Sequence, residues 1–239
     1  MLFQLTKLND DHSYRFEYPF KEIEIPTEDE DVRLSAVHFT VTDSIQKGIV
    51  LFLHGNGGTI QGWGNEAHWF VNNNYEVLFL EYREYGKSGG TIESEEQIVS
   101  DAQLAYDYVK KYFTEDQIVI AGTSMGTGVA SQLAGNNHPS MLILNAPYFG
   151  LNVLVKEKVF LIPEFVIKYK FKTYEVLPKL NCPIEIFHGT NDKLIPIDHS
   201  ERLAKFNTNI NLTKCEGGGH NSFSKTKSYA ERMNLVLGR

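Results

Sequence analysis

The chain has 239 residues, near the upper end for one compact domain, and its 42% hydrophobic and 22% charged content is that of an ordinary soluble protein. A formal net charge of −7, from 23 Lys and Arg against 30 Asp and Glu, argues against nucleic acid or another polyanion as the main ligand. Cys182 and Cys215 are too few for a disulfide scaffold and lack metal-ligand spacing, so they read as incidental thiols and imply no metal or cofactor.

In chain order, residues 1–19 carry Leu2, Phe3, Leu5 and Leu8, more apolar than a free tail, and are expected to pack on the body. Residues 21–26 alternate charged and β-branched side chains as a half-exposed strand does. An acidic turn at 28–31 and a second alternating strand at 34–41 follow. Gly48 to Leu53 is continuously apolar, the pattern of a strand buried on both faces, and it runs into His54-Gly55-Asn56-Gly57-Gly58. A short helix over 63–72 and a strand over 75–81 come next. Gly86-Lys87-Ser88 resembles the tail of a phosphate-binding loop, but Glu81 stands where that motif needs glycine, so the nucleotide reading is rejected. The loop is expected instead to brace the sheet edge.

Residues 94–113 place Ile98, Ala102, Ala105, Tyr108, Val109 and Tyr112 at helical spacing behind a capping box of Ser94 and Gln97. Ile118-Val119-Ile120 then leads into Gly122-Thr123-Ser124-Met125-Gly126 and a helix-compatible run at 129–134. Further strands are predicted at 141–145, 184–187 and 209–215, with helices over 199–205 and 229–237. Alternating strands and helices imply an α/β fold with a mostly parallel, doubly wound sheet, helices on both faces and strands one and two as an antiparallel edge. Residues 148–180 break the alternation and read as a small lid on the carboxyl edge of a single domain spanning 1–239.

A strand turning sharply into a helix at Ser124 presents that hydroxyl at the sheet edge, where a nucleophile can stand. Serine needs a base and a group to orient it. Asp192 follows one predicted strand and His220 the next, with Gly217-Gly218-Gly219 giving the histidine loop its reach. Asp198 is the competing acid and reads better as a helix N-cap. His188 reads as a structural strand-end residue. The oxyanion of an acyl-transfer intermediate needs N–H donors, assigned to Met125 and to Asn56 in the glycine-rich loop, which His54 ties down.

These motifs together resemble the BEM46-like branch of the α/β hydrolases: His54 to Gly58, the Glu81 to Gly90 stretch, the Ser124 pentapeptide, His188-Gly189-Thr190-Asn191-Asp192-Lys193-Leu194-Ile195-Pro196 and Gly219-His220-Asn221. The similarity runs from about Phe20 onward. It implies the α/β-hydrolase fold and a serine hydrolase with Ser124, Asp192 and His220 as triad. Two positions depart from the branch: Glu81 stands where aspartate is more usual, and Glu84 where glycine is.

The expected activity is that of a carboxylesterase on small-molecule esters of short to medium acyl length. A serine peptidase or amidase of the same fold is the alternative, and a non-catalytic binding module a third. The lid carries Phe160, Leu161, Ile162, Phe165, Val166, Ile167, Tyr169 and Phe171, expected to contact an acyl chain. Its six lysines against three glutamates oppose a substrate ammonium and would suit peripheral contact with an anionic membrane. No run of about 18 apolar residues and no signal peptide occurs, so the chain as given is expected to be cytoplasmic. Relatives in the branch carry an N-terminal anchor. The resemblance therefore implies, as the alternative, a membrane-anchored protein whose gene extends upstream of Met1.

Overall fold

The alternating strands Phe20–Pro26 (β1) and Arg33–Phe39 (β2) form an antiparallel hairpin, with Ile23 opposite Ala36. The structure is a computed structural model and describes residues 3–42, 46–159 and 161–238. The readings made at Met1, Leu2 and Phe160 lie outside the described residues. After the hairpin come Gly48–Leu53 (β3), helices Ile60–Trp63 (α1) and His68–Val71 (α2), Tyr75–Leu80 (β4), Glu95–Val109 (α3), Ile118–Thr123 (β5) and Met125–Asn136 (α4). Met141–Asn145 (β6), Leu151–Lys158 (α5), Thr173–Val176 (α6), Ile184–Gly189 (β7), Asp198–Leu203 (α7), Ile210–Cys215 (β8) and Lys227–Leu237 (α8) complete the order.

The eight strands lie in the order β1-β2-β4-β3-β5-β6-β7-β8, antiparallel through β1, β2 and β4 and parallel from β4 onward. This is the α/β-hydrolase architecture. Because side chains alternate along a strand, a central strand must be apolar at every position to bury both faces. In β3, Ile49, Leu51 and Leu53 pack on the side of α3 and α4, with Ala102, Tyr106 and Leu133. Val50 and Phe52 pack on the other side, with Phe70 of α2 and Tyr229 and Met233 of α8. β3 lies between β4 and β5, so the chain leaves it in one direction and returns on the other. The loops after β3 and β5 therefore diverge, and a crevice opens at their carboxyl ends.

Several local expectations shift. The helix over 63–72 is two short helices joined by a 3₁₀ turn, Gly64–Ala67. α3 stops at Val109, so Tyr112 is exposed rather than core. Ser94 Oγ accepts from the Gln97 N–H at 3.1 Å, but the Gln97 side chain reaches past the cap to the Glu93 N–H at 2.7 Å. β7 extends to Gly189 and takes His188 into the strand. Asp198 is the first residue of α7 rather than its N-cap; Ile197 holds that position, and Asp198 pairs with Arg202 at 3.5 Å.

Residues 148–180 join β6 to β7. They contain α5, a 3₁₀ turn at Glu164–Val166, α6 and a further turn at Leu177–Lys179. Ile167, Tyr169 and Phe171 are buried; Tyr169 meets Phe3 edge-on at 4.9 Å, and Glu95 accepts the N–H groups of Lys170 and Phe171 at 2.6 and 2.9 Å. Leu161, Phe165 and Val166 point to solvent. No helix among the described residues is long and apolar enough to cross a membrane.

Candidate active site

Ser124 lies between β5 and α4 with φ 51° and ψ −116°, a conformation a non-glycine residue adopts only when its surroundings enforce it. Here two glycines and two hydrogen bonds do so. A Cβ on Gly126 would overlap the Leu53 and His54 carbonyl oxygens, and one on Gly122 would overlap the Gly126 carbonyl. The Ser124 N–H donates to the Asn145 carbonyl at 2.8 Å, and the Thr127 hydroxyl donates to the Ser124 carbonyl at 2.6 Å. The serine side chain is thereby fixed at the carboxyl edge of the sheet.

His220 Nε2 stands 3.0 Å from Ser124 Oγ, and His220 Nδ1 stands 2.7 Å from Asp192 Oδ2. An ionised carboxylate only accepts, so Nδ1 carries the proton and Nε2 is left to accept from the serine hydroxyl. The acid and base loops are stitched together. The Thr190 N–H donates to the Cys215 carbonyl at 3.1 Å, the Asn191 N–H to the Gly218 carbonyl at 2.9 Å, and Gly189 packs so close to Gly218 that a side chain there would collide.

Asp192 is fully partnered. Oδ1 accepts the N–H groups of Leu194 and Ile195, both at 2.9 Å, and His188 Nε2 approaches Oδ2 at 3.3 Å. His188 also reaches the Ile195 carbonyl at 2.8 Å and the Ser200 hydroxyl at 2.6 Å. Since a carbonyl only accepts, Nε2 donates and Nδ1 accepts from Ser200, so a neutral ring satisfies both contacts. Burial pushes the Asp192 carboxyl up, but hydrogen bonds from His188, His220 and the Ile195 N–H outweigh it and hold the group well below the usual carboxylate range. His188 is thus a supporting residue of Asp192, which its position four residues upstream did not disclose.

Asn56 follows β3 in the glycine-rich loop, and Met125 follows Ser124 directly. Met125 is the first residue of α4, and its N–H, an orphan donor at the helix start, has no acceptor among the described residues. The Asn56 side chain accepts from the Gln4 N–H at 2.7 Å and the Tyr85 hydroxyl at 2.9 Å, which fixes the loop's path. His54 Nδ1 lies 2.7 Å from the Gly55 carbonyl, the Tyr82 hydroxyl donates to the His54 carbonyl at 3.1 Å, and Glu81 Oε1 accepts the Ile60 N–H at 2.6 Å. Arg83 in turn holds Asp101 of α3 through two hydrogen bonds of 2.8 and 3.1 Å. The Glu81 to Gly90 stretch braces the glycine-rich loop as well as the sheet edge. At the two departures from the branch, Glu81 takes the wall beside Gly86, and Glu84 sits at φ 64°, the left-handed region in which glycine is free of strain.

Ser124 and His220 open onto a cleft of about 380 Å³ lined also by Asn56, Trp63, Leu194 and Phe223. No described residue of 148–180 lines it. The expected acyl contacts from that segment are therefore corrected: Ile167, Tyr169 and Phe171 are committed to the core, and Leu161, Phe165 and Val166 face solvent. Among the polar residues at the cleft that sequence reasoning missed are Glu66, Asn145 and Tyr229. Asn145 could have been found, because it ends a parallel strand at the edge where ligands bind. Glu66, on a single 3₁₀ turn, carried no such signal.

The family model described as "Serine aminopeptidase, S33" matches residues 44–181. The chain is 30% identical over 176 residues to the lysophosphatidylserine lipase ABHD12 of Macaca fascicularis, covering 65% of this chain and 44% of that protein. It thus spans less than half the length of the ABHD12 relatives it matches. Among solved structures, the esterase Pf2001 of Pyrococcus furiosus superposes with a TM-score of 0.71 at 21% identity, covering 92% of each chain. Est1E of Butyrivibrio proteoclasticus, solved with ferulic acid bound, superposes with a TM-score of 0.74 at 18% identity, covering 90% of this chain and 96% of that one. Likeness at these identities speaks for the fold.

Proposed function

The chain belongs to this S33 serine-hydrolase family of the α/β-hydrolase superfamily, and from that premise we propose that it is a carboxylesterase cleaving esters of short to medium acyl length through an acyl-serine. The observation that carries the reading is the hydrogen-bonded series Ser124, His220, Asp192 at the mouth of a cleft of about 380 Å³. That volume is at the small end for ligand pockets. It suits a compact ester better than a peptide, which would need room on both sides of the scissile bond. Pf2001, an esterase by name, shares the fold, which supports the reading. The five ordered motifs support assignment to the BEM46-like branch.

In this reading Ser124 Oγ attacks the ester carbonyl while His220 Nε2 takes the hydroxyl proton. Asp192 stabilises the imidazolium through Nδ1–H without taking its proton. The N–H groups of Met125 and Asn56 donate to the oxyanion, each such donor being worth about 10² to 10³ in rate. Collapse breaks the bond to the alkoxy oxygen, which leaves as alcohol with the proton from Nε2. Water then attacks the acyl-serine, again giving its proton to His220, and the acid departs as Ser124 recovers its hydrogen.

The test is turnover of p-nitrophenyl acetate and butyrate beside aminoacyl p-nitroanilides, with Ser124→Ala as control. The nitrophenyl esters are expected to be cleaved, and the alanine variant to lose about 10⁶ in kcat. A fluorophosphonate probe is expected to label Ser124. Faster cleavage of the anilides at matched concentration would assign the chain to the peptidases, and wild-type rates in Ser124→Ala would remove the nucleophile assignment.

A further inference from the structure

The glycine-rich loop after β3 is held from two separate parts of the chain. From the body, Trp63 Nε1 donates to the Gly57 carbonyl at 3.0 Å, and the Tyr85 hydroxyl donates to Asn56 Oδ1 at 2.9 Å. From the segment ahead of β1, the Gln4 N–H donates to the same Asn56 oxygen at 2.7 Å. A peptide N–H can only donate, which identifies the atom as the amide oxygen, and both lone pairs of that oxygen are then in use. A Cβ on Gly57 would lie 3.1 Å from Gln4 Oε1 and 3.3 Å from Gln4 Cβ, so the Gln4 side chain rests against the loop, and it lines the cleft as well.

Residues 3–8 are fastened on either side of Gln4. Phe3 is buried and meets Tyr169 edge-on at 4.9 Å. Beyond Gln4, the Gly86 N–H donates to the Thr6 carbonyl at 2.8 Å, the Leu8 N–H donates to the Gly86 carbonyl at 2.9 Å, and Lys7 Nζ donates to the Ser88 carbonyl at 2.6 Å. Tyr85, the second donor to Asn56, is the residue before Gly86. One short segment therefore holds Asn56 directly and also grips the loop that carries Asn56's other donor. Residues 4–7 are exposed, so they bury little apolar surface and contribute little to folding stability. What they set is where Asn56 stands.

We propose that residues 3–8 form a strap that positions the oxyanion donor at Asn56, with Gln4 as the positioning residue. The proposal rests on the serine-esterase reading, in which the Asn56 N–H donates to the oxyanion, and the two can fail separately. Such a donor accelerates the reaction only if it already stands where the charge develops, and a misplacement of about 1 Å can cost about 10²-fold in rate. With two donors on Oδ1 the Asn56 peptide is pinned beside the serine; without the Gln4 bond the loop gains freedom, and part of the donor's effect is lost. The loss falls on kcat rather than KM, because the interaction is strongest with the charge of the transition state.

The experiment measures kcat and KM for p-nitrophenyl acetate, and inhibition by butaneboronic acid, which adds to the serine hydroxyl as a tetrahedral anion, with melting temperature read beside them. The variants are Gln4→Pro, which removes the N–H; Phe3→Ala, which loosens its anchor; Asn56→Ala, which removes the acceptor but keeps the backbone N–H; and the doubles of the first two with Asn56→Ala. Gln4→Pro and Asn56→Ala are each expected to lower kcat by about tenfold to 100-fold with KM within about twofold, and to weaken the boronate in proportion. Phe3→Ala is expected to act in the same direction, by about threefold or more, and Gln4→Ala, which keeps the N–H, to lose far less than Gln4→Pro. Each double is expected to lose no more than Asn56→Ala alone, because both substitutions act on the same bond. If Gln4→Pro does not fold, Phe3→Ala and its double still decide. Wild-type kcat in the folded strap variants or in Asn56→Ala, or losses that multiply in the doubles, overturns the strap while leaving the esterase in place. Failure of the wild type to cleave any ester, p-nitrophenyl acetate included, would overturn the esterase reading itself.

Discussion

Asp192 divides its work between its two oxygens, Oδ1 accepting from two backbone amides and Oδ2 from His220. Asparagine there could still accept at one end, but its NH₂ would face an N–H, and the imidazole would be left in the wrong tautomer. Asp192→Asn is therefore expected to lower kcat by about 10⁴. The same residue predicts a pH effect on stability. Its folded pKa is depressed below the unfolded value of about 3.9. The stabilisation it contributes is thus fully present above that value and is lost as pH falls towards the folded pKa. Urea unfolding from about pH 5 down to pH 2 should show wild-type stability falling more steeply than that of Asp192→Asn. Parallel curves for the two proteins would contradict the depressed pKa.

Among the elements, the β5–α4 turn depends most on what a side chain cannot do. Gly126 faces the Leu53 and His54 carbonyls, which belong to a central strand and its loop and have nowhere to move. Gly126→Ala is expected to cost about 3 kcal/mol or more, read as a lowered urea midpoint, because overpacking against fixed backbone cannot be relieved by a rotamer change. Gly62, where a Cβ meets nothing within 4 Å, is the control, and equal losses at the two positions would refute the steric account. This turn was legible in the sequence because its glycines, its serine and its flanking apolar strand each answer a separate constraint. The β3, β6 and β8 strands were legible because apolar or alternating runs end in turn residues. The walls of the cleft were not. Glu66 and Tyr229 reach the cleft only through the tertiary packing of the 3₁₀ turn Gly64–Ala67 and α8, and no periodicity along the chain records that meeting. The lining role expected for residues 148–180 failed for a related reason. Apolar density shows that a segment packs or is exposed, but not against what.

Over the whole molecule, charge is unevenly distributed. The chain carries −7, yet residues 148–180 hold six lysines and three glutamates, and all three glutamates are in ion pairs. Lys158, Lys168, Lys170 and Lys179 belong to no ion pair among the described residues, and the first three lie in sequence on either side of a tip where Leu161 is 82% and Phe165 87% exposed. The tip adjoins the cleft mouth: Lys158 Nζ donates to the Lys193 carbonyl at 3.3 Å, and the next residue, Leu194, lines the cleft. Exposed large apolar side chains with lysines before and after them in the chain fit an anionic bilayer surface, where each lysine near the headgroups contributes about 1 kcal/mol. We propose that this tip docks on such a surface and brings the cleft to esters dissolved in it. Co-sedimentation with phosphatidylcholine vesicles is expected only when phosphatidylserine is included, to weaken with salt as exposed charges are screened, and to be lost in Phe165→Glu. Equal partitioning onto vesicles without phosphatidylserine would remove the electrostatic part of the proposal. Concentration-dependent dimerisation abolished by Phe165→Glu, with no vesicle binding, would instead assign the patch to a second copy of the chain.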